Sequence, residues 1–348
     1  MKIDKINTEI IEFVIEHPNL SSSKIHQQMN LGIGLVTVKR RLSKCVKQGF
    51  LKTVGVGRAT KYFIHPNYKL LYPVNLDEYF KKEIYEREIL SGFNFSLITE
   101  IFPKVDLFTP AEREKLFSLQ QKYKQNISQV SKTVYNQELE RLGIDLSWKS
   151  SQIEGNTYSL LETEQLLKYH FEAKGKKKEE AQMLLNHKVA LDFIIENRDY
   201  FKEISVAKIE EIHNLLVNDM GIEKNIRKRL VGITGTNYQP LDNEFQIKEA
   251  LSNMCSLVNN KKDIFEKTLL LLILISYIQP FADGNKRTAR LISNAILLNH
   301  NYCPLSFRTV DSIDYKKAML LFYEQNNIQA FKTIFVNQYE FVVETYFL

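Results

Sequence analysis

Between Leu269 and Ile278 the chain runs for ten residues with Ser276 as its one small polar interruption, and Pro280 follows almost at once. A stretch this apolar has to be buried, yet it is well short of the ~20 residues that cross a bilayer. It predicts the central helix of a soluble core. Proline at 280 disfavours continuation of that helix beyond Gln279. A second helical pattern, Ala289, Leu291, Ala295 and Leu298, starts from about Asn285. Two core helices joined by a tight loop are what the rest of the chain must cover.

The 348 residues suffice for about two domains at a typical ~150 residues each. A 44% hydrophobic fraction is ample for a core, and only 13 Gly and 8 Pro argue against an all-β layout. The fold class is therefore mainly α. The best strand-like stretch in the second half, Leu230 to Ile233 followed by Thr234 to Tyr238, reads as a short β-hairpin flap between helices. The charge run Lys174 to Glu180 reads as an exposed turn. Three distant cysteines, Cys45, Cys255 and Cys303, fit a reducing compartment and have no metal-ligand spacing. The start, Met1 to Lys5, lacks the apolar region of a signal peptide. The expectation is a cytoplasmic protein with no membrane partner.

Charge divides the chain. Residues 1–70 hold twelve Lys and Arg against four Asp and Glu, a balance of +8, whereas the whole chain is +6. An anionic partner is expected for this part alone. Helices are predicted from Ile3 to His17, from a cap at Ser21–Ser23 to Met29, and from Leu35 to Gln48, with Gly49 as terminator. Two strand-like runs, 50–54 and 60–64, flank Gly55 to Arg58. Three helices and a hairpin resemble a winged helix-turn-helix domain. Thr37, Lys39, Arg40, Arg41 and Lys44 on the third helix, with Arg58 at the hairpin tip, suit DNA contacts. The same cations also fit a solvated face or a protein-docking surface. Residues 71–108, entered through His65-Pro66 and Tyr72-Pro73, read as a helical linker. Thr109-Pro110-Ala111-Glu112 opens the third region, 109–348, with a capping box.

The loop between the two core helices carries the chemistry. Gln279-Pro280-Phe281-Ala282-Asp283-Gly284-Asn285-Lys286-Arg287-Thr288-Ala289-Arg290 gathers an acid, a flexible turn, an amide and three cations. Gly284 can turn successive N–H groups toward one anion, and the following helix N-terminus adds more. Arg287 and Arg290, three apart, share a helix face and could fork onto separate phosphates. Asp283 is a hard oxygen ligand suited to Mg²⁺. Phe281 under the loop would lock it. A capped helical turn with two solvated arginines is the plainer alternative.

This stretch closely resembles the signature of the Fic family, the Fido-fold enzymes that transfer a nucleotide monophosphate, usually AMP from ATP, to protein hydroxyls. Phe281, Asp283, Gly284, Asn285, Lys286, Arg287 and Arg290 match its pattern. Ser150-x-x-x-Glu154-Gly155-Asn156 resembles the family's inhibitory helix motif, and Thr236, Asn237 and Tyr238 resemble the flap that pins a target segment. Arg227 also matches a familiar position. The resemblance, over about residues 110–348, implies a Fido-fold core that uses ATP and Mg²⁺. Asp283 would bind the metal, Asn285 would position the phosphate loop, and Arg287 and Arg290 would hold the β- and γ-phosphates. Glu154 would pair with Arg290 and Ser150 would stabilise its helix. The target protein stays unnamed, and a homodimer is left open.

Gln279 departs from that pattern. It stands where the family has the histidine that takes a proton from the attacking hydroxyl, a contribution of typically ~10²–10⁴-fold. A carboxamide does not titrate near neutral pH, although it can orient a hydroxyl. His187 and His213 are other imidazoles of the core. Two functions follow: an adenylyltransferase impaired at Gln279 and restrained by Glu154, or an inactive nucleotide sensor that reports to DNA.

Overall fold

The computed structural model describes residues 5–65 and 67–348. The expected helix start at Ile3, the residues Met1 to Asp4, and Pro66 lie outside the described residues. The central helix is Ile264–Ile278, and every residue from Phe265 to Ile278 is buried. Asp263 caps it, its carboxylate accepting from the amides of Phe265 (2.8 Å) and Glu266 (3.2 Å). Its neighbour is Asn285–Asn299, buried except at Lys286 and its last residue. Both ends of the intervening loop are sharp: Gln279 (φ 50°) and Gly284 (φ 82°) take left-handed conformations.

The surrounding helices supply the site. Lys132–Ile153, Lys178–Glu196, Val206–Leu216 and Ser312–Gln325 each bring polar residues toward the loop. Pro110–Gln129 opens with the expected reciprocal cap, Thr109 N–H donating to Glu112 at 2.8 Å and Glu112 N–H to Thr109 Oγ1 at 3.3 Å. The aromatic C-terminal stretch forms Ser312–Gln325 and Gln329–Thr345, with Tyr315, Phe322, Tyr323, Phe331, Phe335 and Tyr339 buried as anchors.

The basic first part has its own core, built from Ile10, Ile11, Val14, Ile25, Val38, Leu42, Cys45, Phe50 and Leu51. Its helices are Lys5–Glu16, Ser22–Met29 and Leu35–Lys47, followed by an antiparallel pair of strands, Leu51–Val54 and Lys61–Ile64, with Leu51 opposite Ile64. Gly49 (φ 74°) makes the turn out of the third helix.

Three expectations are corrected. The stretch 230–238 forms no β-hairpin; instead of a strand partner, Gly235 O accepts from Arg87 at 2.9 Å, and Arg229 O just before the stretch accepts from Arg227 at 2.7 Å. The run Lys174–Glu180 is only half a turn, because Lys178, Glu179 and Glu180 begin the helix Lys178–Glu196. Acids there favour the positive helix end. The stretch 71–108 is mostly irregular, with short helices Leu76–Tyr79 and Leu97–Ile101, and wraps the core as a strap.

Candidate nucleotide site

The loop is braced from within. The Asn285 side chain accepts from the Phe281 amide (2.9 Å) and donates to Phe281 O (2.9 Å) and Gln279 Oε1 (2.9 Å). The ring of Phe281 is buried and stacks on His213 at 3.6 Å between centroids. His213 Nε2 donates to Asp283 O at 3.0 Å, which fixes the proton on that nitrogen, since a carbonyl can only accept. Burial, against the pull of that bond, lowers the His213 pKa to about 4. A neutral imidazole therefore clamps the loop from below. Arg227 holds it from behind, its Nε donating to Gln279 O at 2.6 Å.

The two arginines of the loop are buried. Arg290 Nε donates to Ser150 Oγ (2.9 Å), and Nη2 donates to Ser150 O (2.8 Å) and Glu154 Oε1 (2.8 Å). Its guanidinium lies 5.3 Å over the Tyr315 ring, a cation–π contact. Arg287 Nη2 reaches Asp283 Oδ2 at 3.2 Å. That leaves Arg287 Nε and Nη1 and Arg290 Nη1 buried with no protein partner. Buried guanidinium N–H groups are rarely left unpaired, and an anion fits them. The Asp283 carboxylate accepts from the Gly284 amide at 2.6 Å and pairs with Arg287, and at 63% exposed it is within reach of a cation from solvent. Among the described residues no group of three His, Cys, Asp or Glu forms a protein-only metal cage. One carboxylate completed by phosphate oxygens is the usual setting for Mg²⁺.

Glu154 reaches this cradle because its helix stops there. Gly155 (φ 102°) takes a conformation that L side chains rarely adopt, and the Asn156 amide closes back on Ser151 O at 3.0 Å. Asn156 then fixes the turn, its Nδ2 donating to Glu180 O at 2.8 Å. Gly155 and Asn156 thus set where Glu154 points and do not themselves meet the arginines. Burial alone would raise the Glu154 carboxyl, but Arg290 and then Lys286, whose Nζ lies 3.3 Å away, hold its pKa below the ordinary value. It stays ionised.

Gln279 is fully engaged. Its Nε2 donates to Ser276 O (2.6 Å) and points to Tyr323 Oη (3.5 Å), while its Oε1 accepts from Asn285. His187 is buried on the other side, with Nδ1 3.0 Å from Ser147 Oγ and Nε2 unpartnered. Burial, then Arg290 and Arg287, lower its pKa to about 3. Neither histidine is hydrogen-bonded to Gln279.

A cavity of about 380 Å³ opens beside the loop, bordered by Glu154, Gln279, Asp283, Asn285 and Lys286. Its other wall was not legible beforehand. Lys316, Met319, Leu320 and Tyr323 line it from one face of Ser312–Gln325, at the helical spacing that also marks ordinary core packing. Its lip is Gly232, Ile233 and Thr234; Thr236, Asn237 and Tyr238, expected in a flap over a target segment, do not line it. Tyr238 is core: it is 2% exposed, stacks on Tyr277 at 4.9 Å, and donates to Tyr277 O at 3.1 Å.

On the third helix of the basic part, Lys39, Arg40 and Lys44 are exposed, as is Arg58 at the hairpin tip, while Thr37 is half-buried. Arg41 is half-buried, and its Nη1 donates to Asn7 Oδ1 at 3.0 Å, tying the third helix to the first.

Residues 203–297 match the model of the Fic/DOC family. Protein adenylyltransferase fic-1 of Caenorhabditis elegans is 27% identical over 174 residues, 48% of this chain and 34% of that protein. Protein adenylyltransferase Fic of Nematostella vectensis is 29% identical over 172 residues, 48% of this chain and 40% of that protein. The chain spans about a third of the length of the fic-1 proteins it matches, 34% in each. Among solved structures, Fic-1 from C. elegans aligns with a TM-score of 0.60 at 21% identity, over 67% of this chain and 71% of that one. A Fic domain containing signaling protein from Bacteroides thetaiotaomicron aligns with a TM-score of 0.54 at 18% identity, over 66% of this chain and 96% of that one. These likenesses establish a Fic-type helical fold.

Proposed function

We propose, from the likeness of residues 203–297 to the Fic/DOC family and of the chain to protein adenylyltransferases, that it is a Fic family protein that binds ATP with Mg²⁺ and transfers AMP to a protein hydroxyl at an impaired rate. The observation that carries the reading is the set of buried, unpartnered guanidinium N–H groups of Arg287 and Arg290 beside one carboxylate already seated on Arg290. Arg287 and Arg290 hold the β- and γ-phosphates. The Gly284 turn and the amides opening Asn285–Asn299 face the phosphate chain. Asp283 holds Mg²⁺, which when bound draws charge from the phosphate oxygens. Lys286 adds a cation at the rim.

Glu154 restrains the site. Its carboxylate takes the Arg290 N–H that the γ-phosphate needs, so ATP binds only after that contact yields. Ser150 keeps Arg290 in place meanwhile. Gln279 limits the transfer, because a carboxamide bonded at both ends takes no proton from an attacking hydroxyl. The test is AMP incorporation from labelled ATP by the parent chain, Glu154→Gly, Gln279→His and the double variant. Labelling by the double variant alone fits both roles.

A second reading rests on the first part of the chain. Its three helices and hairpin suit a winged-helix domain over about residues 1–70, with Lys39, Arg40, Lys44 and Arg58 available to phosphates and base edges. In that case ATP binding at residues 109–348 reports to DNA with little or no transfer. Retention of a DNA duplex that changes with ATP favours it; ATP-independent binding opposes it.

A further inference from the structure

The lip of the cavity is held by a residue far from the loop in sequence. Arg87, in the strap 71–108, has a side chain only 4% exposed and splits its guanidinium between two partners. Nη1 pairs with Glu324 (3.0 and 3.3 Å), which is fully buried, while Nη2 donates to Gly235 O at 2.9 Å. Glu324 is one residue beyond Tyr323, at the end of the helix that lines the opposite cavity wall. Gly235 directly follows the lip residues Gly232, Ile233 and Thr234. One side chain therefore joins the helix that lines one cavity wall to the loop that carries the lip.

The strap holds the same loop a second time. The Gln239 amide donates to Ser91 O at 3.2 Å, and Gly92 and Gln239 form an isolated parallel bridge. Leu90 N–H donates to Glu324 O at 2.8 Å, and Tyr79 Oη donates to Glu324 Oε2 at 2.7 Å. The stretch 230–238 has no strand ladder of its own, so side-chain and strap contacts are what fix it. The Gly235 contact is not needed to neutralise Glu324; Nη1 does that already.

We infer that Arg87 is a positioning residue that sets the Gly232–Thr234 lip, and with it the fit of the nucleoside end of ATP, without acting on the phosphate cradle. This rests on the nucleotide reading above. A planar guanidinium can fork onto two partners; an ammonium is a point charge that keeps the ion pair but does not span both. R87K therefore separates the two contacts without leaving Glu324 unpaired. Y79F removes a bond to Glu324 and leaves Gly235 untouched.

The experiment compares the full chain with R87K and Y79F by hydrogen exchange without ligand, and by calorimetric titration with Mg²⁺·ATP and with tripolyphosphate. In R87K the amides of 232–236 should exchange faster, and ATP should bind about three- to tenfold more weakly, the worth of one hydrogen bond. Tripolyphosphate, which tests the arginines alone, should keep its affinity, as should ATP in Y79F. Unchanged exchange at 232–236 in R87K overturns the inference, and so does an equal loss for both ligands. If the parent chain binds neither ligand, the nucleotide reading falls, and the exchange measurement still decides the role of Arg87.

Discussion

Glu154 and Arg290 lie 2.8 Å apart, the arginine side chain wholly buried and the carboxylate 18% exposed. Arg290 has two other acceptors from Ser150, yet one of its N–H groups stays unpaired. The cation is thus only partly answered, and a further anion can still gain from it. Replacing Glu154 with Gly should tighten Mg²⁺·ATP binding by about tenfold or more, roughly 1.4 kcal/mol per decade. Titration calorimetry checks this. Equal affinities in parent and variant would remove the inhibitory role.

The carboxamide of Gln279 has no free end, so its replacement is a test of chemistry rather than of folding. Adding Gln279→His to Glu154→Gly should raise AMP incorporation by ~10²–10⁴-fold, the usual worth of a general base. The left-handed backbone at 279 is already tolerated by a long side chain, and Arg227 braces its carbonyl whatever the side chain is. If Glu154→Gly alone labels as fast as the double variant, a group other than residue 279 takes the proton.

Local signals in the chain were reliable where one residue type has one use. Pro280 and Gly284 bounded the two core helices, Gly49 ended the third helix, and the Thr109–Glu112 box opened its helix as expected. The pairing of Glu154 with Arg290 was implied by the resemblance to the Fic signature, and the two side chains do meet. What did not follow depended on long-range partners. Nothing local distinguishes Lys316, Met319, Leu320 and Tyr323 from a core-facing stripe. The apparent hairpin at 230–238 looked like one because its β-branched residues are strand formers. Arg87, distant in sequence, and Arg227 claimed carbonyls there instead. Tyr238 was misplaced for a related reason: an aromatic in a loop fits a flap and a core anchor equally well until its stacking partners are known.

The exposed cations of the first part give a separable prediction. Reversing Arg40 and Lys44 to Glu should strongly weaken retention of a DNA duplex in a gel shift. It should also flatten the salt dependence of whatever binding remains, because each lost phosphate contact lowers that slope by about one. Arg41 is a different case. Its bond to Asn7 joins two helices, so Arg41→Ala should lower the melting temperature of this part. Unaltered retention by the Arg40 and Lys44 double variant would leave the +8 charge without a nucleic-acid role.

The two buried imidazoles predict how stability responds to acid. Burial leads both shifts: His187 falls to about 3 and His213 to about 4, from an ordinary 6.5. Between those values and 6.5 the unfolded chain binds a proton at each histidine and the folded chain does not. The sign is then fixed: the unfolded state holds more protons, so stability rises with pH through this window and is lost as pH falls. Each histidine contributes a slope of up to ~1.4 kcal/mol per pH unit. Glu154 works in the same direction lower down, since its depressed pKa stabilises the fold above its ordinary 4.5 and is lost on further acidification. Denaturant unfolding from about pH 7 to about pH 4 should therefore show stability declining from below ~6.5. His187→Gln keeps a hydrogen-bonding partner for Ser147 but cannot titrate, and should reduce that slope by about half. A slope as steep as the parent's would mean that His187 takes up its proton while folded, which its place beside Arg287 and Arg290 argues against.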